Sequence, residues 1–117
     1  MAYNEKLANR IREHLMDLPN LTEKEMMGGL VFMYNEKMCI GVIKDEMMCR
    51  INPQIHDVVV ERIGCRTMDF TKRPMTGYIL IDNSGLKTRD DFNYYIQLAL
   101  DFNKDAKASK KKKVDSF

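Results

Sequence analysis

The sequence predicts an α+β domain, a two-layer α/β sandwich in which helices cover one side of an antiparallel sheet. Apolar residues recur at helical spacing near both ends of the chain, and the segments between them alternate in polarity as strands do. Short turns separate successive strand segments, which favours antiparallel pairing between neighbours. The predicted order of elements is α-β-β-β-α-β-β-α. The 117 residues suit one domain, predicted over residues 1–103 and followed by a disordered Lys-rich tail over residues 104–117.

The first element is a helix between Asn4 and Pro19. Asparagine caps a helix because its side chain accepts a hydrogen bond from a free backbone N–H, and proline stops one because it lacks that group. An apolar stripe along one side predicts that this helix packs on the sheet. The stripe consists of Leu7, Ile11, Leu15 and Leu18.

A three-stranded meander is predicted within MMGGLVFMYNEKMCIGVIKDEMMCRI, residues 26–51. A turn at Asn35-Glu36 starts an uninterrupted ladder in which Phe32 pairs with Cys39. Because strand side chains alternate, one face of the meander is predicted to be core and the other a mixed face that the helices leave uncovered. The predicted core face holds Val31, Met33, Met38, Ile40 and Val42, and the mixed face holds Leu30, Phe32, Tyr34, Lys37, Cys39, Gly41 and Ile43.

The third strand, predicted from Met47 to Ile51, leads into a helix from Asn52 to Gly64. Asn52 suits the cap position, and Gly64 suits the left-handed residue that ends a helix. The predicted buried stripe of this helix is Ile55, Val58, Val59 and Ile63.

Two strands, RTMDF and TGYILID, follow and are joined by a polar loop from Thr71 to Pro74. The last element is a helix over TRDDFNYYIQLALDFN, in which Thr88 and Asp91 resemble a capping box. Its broad apolar face is suited to lie across a sheet and consists of Phe92, Tyr95, Ile96, Ala99 and Leu100.

No catalytic residue, cofactor or metal site is predicted. The methionines of the meander follow core alternation and lack the MxxM or CxxC spacing of copper sites. His56 and Cys65 lie about 13 Å apart along one helical segment, too far for a dyad, and His14 and His56 are both expected at the surface or its boundary. Gly28-Gly29 is interpreted as a backbone requirement, for unusual dihedral angles or for close approach of a neighbouring strand.

The cysteine count and the hydropathy predict a cytoplasmic protein. Cys39, Cys49 and Cys65 are an odd and widely spaced set, which indicates free thiols in a reducing compartment. No apolar run approaches the ~20 residues of a membrane helix. The charged N-terminal segment lacks the apolar centre of a secretory signal.

The positive charge of the chain is confined to its tail. Residues 104–117 carry six lysines and two aspartates, a net charge of +4, whereas the preceding residues carry −2. Such a tail can neutralise phosphates and give weak, non-specific nucleic-acid binding. A solvated tail without this role is the alternative, because no aromatic residue stands among the lysines to stack on bases. The candidate residues are Lys110, Lys111, Lys112 and Lys113.

Two surfaces are predicted to meet a protein partner. One is the uncovered mixed face, because exposed apolar patches often mark association sites. The same patch predicts a homodimer. The alternative is that the tail or a curled sheet covers it. The other is the basic loop that contains Lys72 and Arg73. The partner-binding candidates on the mixed face are Leu30, Phe32, Tyr34 and Ile43.

From about Leu7 to Phe102 the chain resembles the N-terminal domain of the TfoX/Sxy competence-regulator family. Three stretches, in the same order as in the family, carry the resemblance. The meander segment is similar to the family's Met-Phe-Gly-Gly segment and the hairpin after it. ERIGC is similar to the end of a helix that leads into a strand, and FTKRPMTGYILI is similar to a Pro-Met step before a strand that begins with an aromatic residue. The matched motif residues are Gly28, Gly29, Pro74, Met75 and Gly77.

The resemblance implies a fold like that of secretion chaperones and membership of a bacterial group that helps switch on DNA-uptake genes. Its better-known members carry a second, C-terminal domain, so the first domain is expected to stand alone here. The leading hypothesis is a non-enzymatic regulatory or protein-interaction module that presents a sheet face to its partner. The alternative is an accessory nucleic-acid-binding protein that acts through the tail, and an enzyme is a third hypothesis that no motif supports.

Deletion of residues 104–117 separates the first two hypotheses. If the tail binds nucleic acid, its deletion abolishes DNA and RNA binding at low salt, and the affinity of the intact chain falls steeply with added salt because each phosphate contact releases a counterion. Fluorescence anisotropy at two salt concentrations measures both effects. Unchanged binding after the deletion contradicts the nucleic-acid hypothesis.

Overall fold

The computed structural model describes residues 3–26, 28–70 and 73–106, and gives only the backbone of Phe70, Arg73 and Pro74. In chain order the elements are helix α1 (Glu5–Leu15), strands β1 (Leu21–Met26), β2 (Gly29–Tyr34), β3 (Lys37–Ile43) and β4 (Glu46–Arg50), a 3₁₀ turn (Pro53–Ile55), helix α2 (His56–Val59), strands β5 (Cys65–Phe70) and β6 (Arg73–Ile81), a second 3₁₀ turn (Asn83–Gly85) and helix α3 (Arg89–Asn103).

The strands form one antiparallel sheet in the order β1-β2-β3-β4-β6-β5. The helices lie on one side of it, because the buried apolar side chains of α1, α2 and α3 all belong to a single core cluster with strand residues from that side. The predicted two-layer α+β class and the predicted order of elements are therefore confirmed.

Strand β1 is an addition to the predicted elements. Its sequence, LTEKEM, is exposed along most of its length and has no apolar alternation that would reveal a strand. It lies at the edge of the sheet, where charged side chains discourage pairing with another sheet. The Arg12 guanidinium of α1 donates hydrogen bonds of 2.6 and 2.7 Å to the Glu23 carboxylate of this strand. The opposite edge, β5, has a register irregularity between Thr67 and Asp69, which has the same protective effect.

The long helices begin where their capping residues predict. Asn4 Oδ1 accepts a hydrogen bond from Leu7 N at 3.1 Å, and Thr88 Oγ1 accepts one from Asp91 N at 3.0 Å. At the other end of α3, Lys37 Nζ donates to the Asn103 carbonyl oxygen at 3.0 Å. A cation is favourable there because the last carbonyl groups of a helix are unpaired and carry partial negative charge.

The segment between Asn52 and Gly64 differs from its predicted continuous helix. Its ends are as predicted, since Asn52 accepts a hydrogen bond from Gln54 N and Gly64 has a φ of +78°. Between them the chain forms a 3₁₀ turn and a single α-helical turn. The predicted stripe is therefore wrong in part, because Val58 is 74% exposed and Ile63 is 80% exposed.

His56 takes the buried position in this segment, and its predicted boundary location is wrong. The imidazole is 3% exposed. Its Nδ1 accepts a hydrogen bond from Gly77 N at 2.9 Å, so Nε2 carries the proton and donates to Thr67 Oγ1 at 2.8 Å. A buried polar ring is stable because both nitrogens are hydrogen-bonded. His56 thus ties α2 to β5 and β6, whereas His14 is exposed, as expected.

A β-bulge at Cys39 changes the predicted ladder between β2 and β3. The turn is as predicted, with Asn35 and Glu36 both at positive φ, the geometry of a two-residue hairpin. Met33 faces Met38, but the next pair is Phe32 with Ile40, which leaves Cys39 as the extra residue. A shift of one residue moves strand side chains to the opposite face.

The bulge therefore corrects the predicted faces of β2. Leu30 and Phe32 are 4% and 0% exposed and lie in the core under the helices, not on an uncovered face. Val31 and Met33 lie on the other side of the sheet, with Met38. Beyond the bulge the prediction is right: Ile40 and Val42 are core, and Ile43 lies on the side without helices.

The two family-motif glycines that precede β2 serve different purposes. Gly28 has a φ of +74° and open space where a Cβ would be. Gly29 lies so close to β3 that a Cβ would overlap the Val42 carbonyl oxygen. The first glycine permits the left-handed conformation and the second permits close approach of a strand.

Substitution of these adjacent glycines by alanine distinguishes the two requirements. Gly29→Ala should lower the free energy of unfolding by roughly 3 kcal/mol, because the new methyl group meets backbone that cannot rotate away. Gly28→Ala is the matched control and should lower it by about 1 kcal/mol, the cost of a left-handed alanine. Urea denaturation measures both values. Equal losses would contradict the close approach at Gly29.

Candidate protein-interaction surface

The sheet separates two apolar clusters of different composition. The first lies under the helices. The second contains strand side chains alone among the described residues, and all six strands contribute to it. Three buried and three partly buried methionines make up six of the chain's ten. We call this second cluster the methionine face: its buried members are Val31, Met33, Met48, Met68 and Leu80, and its partly buried members are Met26, Met38, Ile43, Met75 and Tyr78.

Gly41 lets the centre of the methionine face pack tightly. It lies on β3 between Val31 of β2 and Met48 of β4. A Cβ at Gly41 would approach the Met48 methyl carbon at 3.2 Å, so the methionine covers the space left by the missing side chain. Methionine suits this position because its unbranched, flexible chain fills irregular gaps.

The four predicted partner-binding residues of the meander are separated by the sheet. Leu30 and Phe32 are core residues and have no surface to offer. Tyr34 is partly buried and packs against the same core, on the helix side. Ile43 alone lies on the methionine face, where it is partly exposed.

The second predicted surface, the basic loop, is only partly described. Lys72 lies outside the described residues, and Arg73 begins β6. Of the family-motif residues nearby, Met75 belongs to the methionine face. Gly77 has a φ of +91° and its carbonyl oxygen accepts a hydrogen bond from Ile51 N at 2.8 Å, so it is needed for a backbone conformation that other residues rarely adopt. The tail candidates Lys110, Lys111, Lys112 and Lys113 also lie outside the described residues.

Cationic side chains border the methionine face. Residues directly opposite each other on neighbouring strands share a face. Lys24 pairs with Val31 and is exposed. Arg50 pairs with Tyr78, and its guanidinium lies 5.5 Å from the centre of that ring.

One further cation on this face is neutralised. Arg66 donates two hydrogen bonds to the Glu46 carboxylate, at 3.2 and 2.6 Å, and lies 3.7 Å from Asp69. The bonds to Glu46 raise the pKa of Arg66. Since the Arg66 side of this pair is 54% exposed, its contribution to stability is small.

All three thiols are poorly ionised; Cys39 and Cys49 are buried, and Cys65 is partly buried. Burial raises the pKa of Cys39 to about 12 and that of Cys65 to about 11, and it also raises the pKa of Cys49. All three are free cysteines. The thiolate is the form that attacks electrophiles and binds soft metals, so these cysteines are placed as apolar core residues. Among the described residues no group of three His, Cys, Asp or Glu side chains is arranged to hold a metal ion.

Two clefts on the helix side of the molecule are bordered by charged side chains that already have structural contacts. The cleft between α1 and α3 has a volume of about 510 Å³ and is lined by Arg10, His14 and Arg89. Arg10 donates to the Leu86 carbonyl oxygen at 3.0 Å and stacks on Phe92 at 4.0 Å, so it has a structural role. A cleft of about 370 Å³ beside Arg62 is similarly bordered by ion-paired side chains.

Most of the methionine face is not predicted from the sequence. The alternation pattern predicts Val31, Met33 and Met38 in the covered core and does not distinguish Met68 or Leu80. The alternation within each strand was a usable signal, but the four consecutive apolar residues of β2 fit either side of a sheet equally well.

The family model described as the TfoX N-terminal domain matches residues 13–103 of the chain. The chain belongs to this family. The match covers the last three residues of α1, the entire sheet and α3, so the methionine face lies wholly within the TfoX N-terminal domain.

Other comparisons add no relative to this assignment. A search of curated proteins and a search of solved structures each find no significant match. The TfoX N-terminal domain is a regulatory, non-catalytic domain family. Within the described part of the chain, no helix has the length and apolar character to cross a bilayer.

The thiols should react with 5,5′-dithiobis(2-nitrobenzoate) far more slowly in the native chain than in the unfolded chain. With a pKa of about 11, roughly one Cys65 in a thousand is a thiolate at pH 8. Absorbance at the wavelength of the released thiolate should show native labelling about 100-fold slower than labelling in urea. Rapid native labelling of one cysteine would contradict its burial.

The same raised pKa values make stability depend on alkaline pH. The folded chain keeps the Cys65 proton up to about pH 11, whereas the unfolded thiol releases it near its ordinary pKa of 9.0. The free energy of unfolding should therefore be constant below about pH 9 and fall as the pH rises towards 11. Urea denaturation at pH 8 and pH 10 measures this difference.

Proposed function

We propose that the chain is a non-enzymatic regulatory module that binds a protein partner through its methionine face and so takes part in the control of DNA-uptake genes. The observation that carries the proposal is the methionine face itself, an apolar sheet surface with no helix over it among the described residues. Membership of the TfoX N-terminal domain family supports a regulatory role.

Methionine side chains favour a binding surface over a purely structural one. Their flexible thioethers adapt to different apolar shapes, and methionine-rich surfaces are common where proteins bind segments of another chain. The partly buried rim, which includes Met38, Met75 and Tyr78, can add buried apolar area without refolding of the sheet. Free, poorly ionised thiols agree with action in the reducing cytoplasm.

The exposed Lys24 at the border favours a partner with an apolar segment flanked by carboxylates. Lys24 lies on this face, and the carboxylate of Glu46 is already bonded to Arg66. Complementary charge steers encounter and excludes wrong partners. A second copy of the chain would bring like charges to the same contact, so the border favours a different protein over the predicted homodimer. Light scattering at high micromolar concentration decides this point, and a dimeric mass would favour self-association.

Paired methionine substitutions test the proposed surface. Glutamine has nearly the length and shape of methionine but is polar, so Met38→Gln with Met75→Gln removes apolar character from the rim. Loss of about 2 kcal/mol of apolar burial should weaken partner binding by at least tenfold. Met16→Gln is the matched control, because Met16 caps the C-terminal end of α1, is 73% exposed and belongs to no part of this face.

The measurement is made in cells of the native host that lack the chain. Wild type and Met16→Gln should restore transcription of the DNA-uptake genes and retain the same captured partner, and the double variant should do neither. Circular dichroism verifies that all three variants are folded. Full activity of a folded double variant would contradict binding through the methionine face.

A further inference from the structure

The methionines of the methionine face form an inner and an outer layer with different access to solvent. In the inner layer, Met33, Met48 and Met68 are 8%, 0% and 2% exposed. The outer layer packs against them and remains partly exposed; it consists of Met26, Met38 and Met75. A small oxidant in solution can therefore reach the outer thioethers, while the inner thioethers are shielded by them.

The thiols of the same chain compete poorly for such an oxidant. Cys39 and Cys49 are 1% and 0% exposed. Burial raises the pKa of Cys39 to about 12 and that of Cys65 to about 11. Oxidants attack the thiolate, which is scarce at these pKa values, whereas a thioether needs no deprotonation. The accessible reactive sulfur of the described residues is thus concentrated in methionine.

We propose that Met26, Met38 and Met75 form an oxidation site, at which hydrogen peroxide converts the outer layer to methionine sulfoxide and loosens the methionine face. In each reaction the thioether sulfur donates an electron pair to one peroxide oxygen and the O–O bond breaks. The sulfur gains an S–O bond and loses two electrons, and the second oxygen leaves as water after proton transfer. Methionine sulfoxide reductases reverse the change at the expense of a thiol reductant.

The structural effect follows from the polarity of the product. A sulfoxide is polar and needs a hydrogen-bond donor, whereas the neighbours of the outer layer are apolar side chains such as Val31 and Leu80. The oxidised side chain must turn into solvent, which uncovers the inner layer. Oxidation should therefore lower the stability of the domain, and this effect does not depend on any partner. Loss of partner binding on oxidation rests in addition on the proposed function.

Met16 provides an internal control for location. It is 73% exposed on α1 and belongs to neither apolar cluster. Because it is more accessible than the outer layer, it should be oxidised first, and because it packs against little, its oxidation should leave stability unchanged. The first methionine to be oxidised should therefore not be one whose oxidation lowers the stability of the domain.

The experiment treats the full chain with hydrogen peroxide and follows peptide masses and the melting temperature together. We expect a first oxidation at Met16 with no change in melting temperature, then oxidation of the outer layer with a fall of about 5 °C. Treatment with methionine sulfoxide reductases and dithiothreitol should restore the original value. The Met16→Leu variant should lose the first mass step and keep the fall.

The decisive variant carries Met26→Leu, Met38→Leu and Met75→Leu, which keeps side-chain volume while removing the outer thioethers. Its melting temperature should not change in peroxide. If this triple variant does not fold, Met38→Leu alone should reduce the fall. The proposal is overturned if the cysteines are oxidised before the outer layer, or if the outer layer is oxidised with no fall in melting temperature. Failure of partner capture with normal oxidation behaviour would overturn the proposed function alone.

Discussion

The β-bulge at Cys39 is the constraint on which the rest of the structure depends. It inserts one residue between two well-formed stretches of the β2–β3 ladder, and so it decides which side of β2 meets the helices. With it, Phe32 and Ile40 face the same core and Met33 faces away. Without it, one of the two strands would present its aliphatic residues to the wrong layer. In this register, both strands pack their branched and aromatic side chains against the helices. The methionine face forms on the opposite side for that reason.

The division of residue types between the two sides has a physical basis. Isoleucine, valine and aromatic side chains have few rotamers and pack into a fixed arrangement against helices. Methionine has more rotatable bonds and a polarizable sulfur, so it fills a layer whose other boundary is not fixed by a helix. The side under α1 and α3 is therefore built from side chains with few rotamers, and the other side from more adaptable ones. Both the proposed binding and the proposed oxidation belong to the second side.

The sequence was most informative where structure is determined locally. The caps at Asn4 and Thr88, the left-handed Gly64 and the Asn35-Glu36 turn depend on neighbouring residues, and each was predicted. The bulge was not, because consecutive apolar residues on β2 satisfy either register and only tertiary packing selects one. The candidate surface was accordingly predicted as an apolar side of the sheet without helices over it, but most of the residues predicted to lie on that side were wrong. His56 was likewise misplaced, since its hydrogen-bond partners come from strands distant in sequence.

The protected edges of the sheet limit the kinds of assembly that the domain can enter. Strand β1 carries alternating charges and β5 carries an irregular register, so neither edge offers a regular ladder to another chain. Growth by addition of strands, which can continue without limit, is therefore blocked at both ends. Contacts through a face of the sheet are therefore favoured over contacts through its edges, and a contact between two matching faces uses up the surfaces that form it. Such a contact gives a complex of fixed and small stoichiometry, a property suited to a component that would act at a set ratio to its proposed partner.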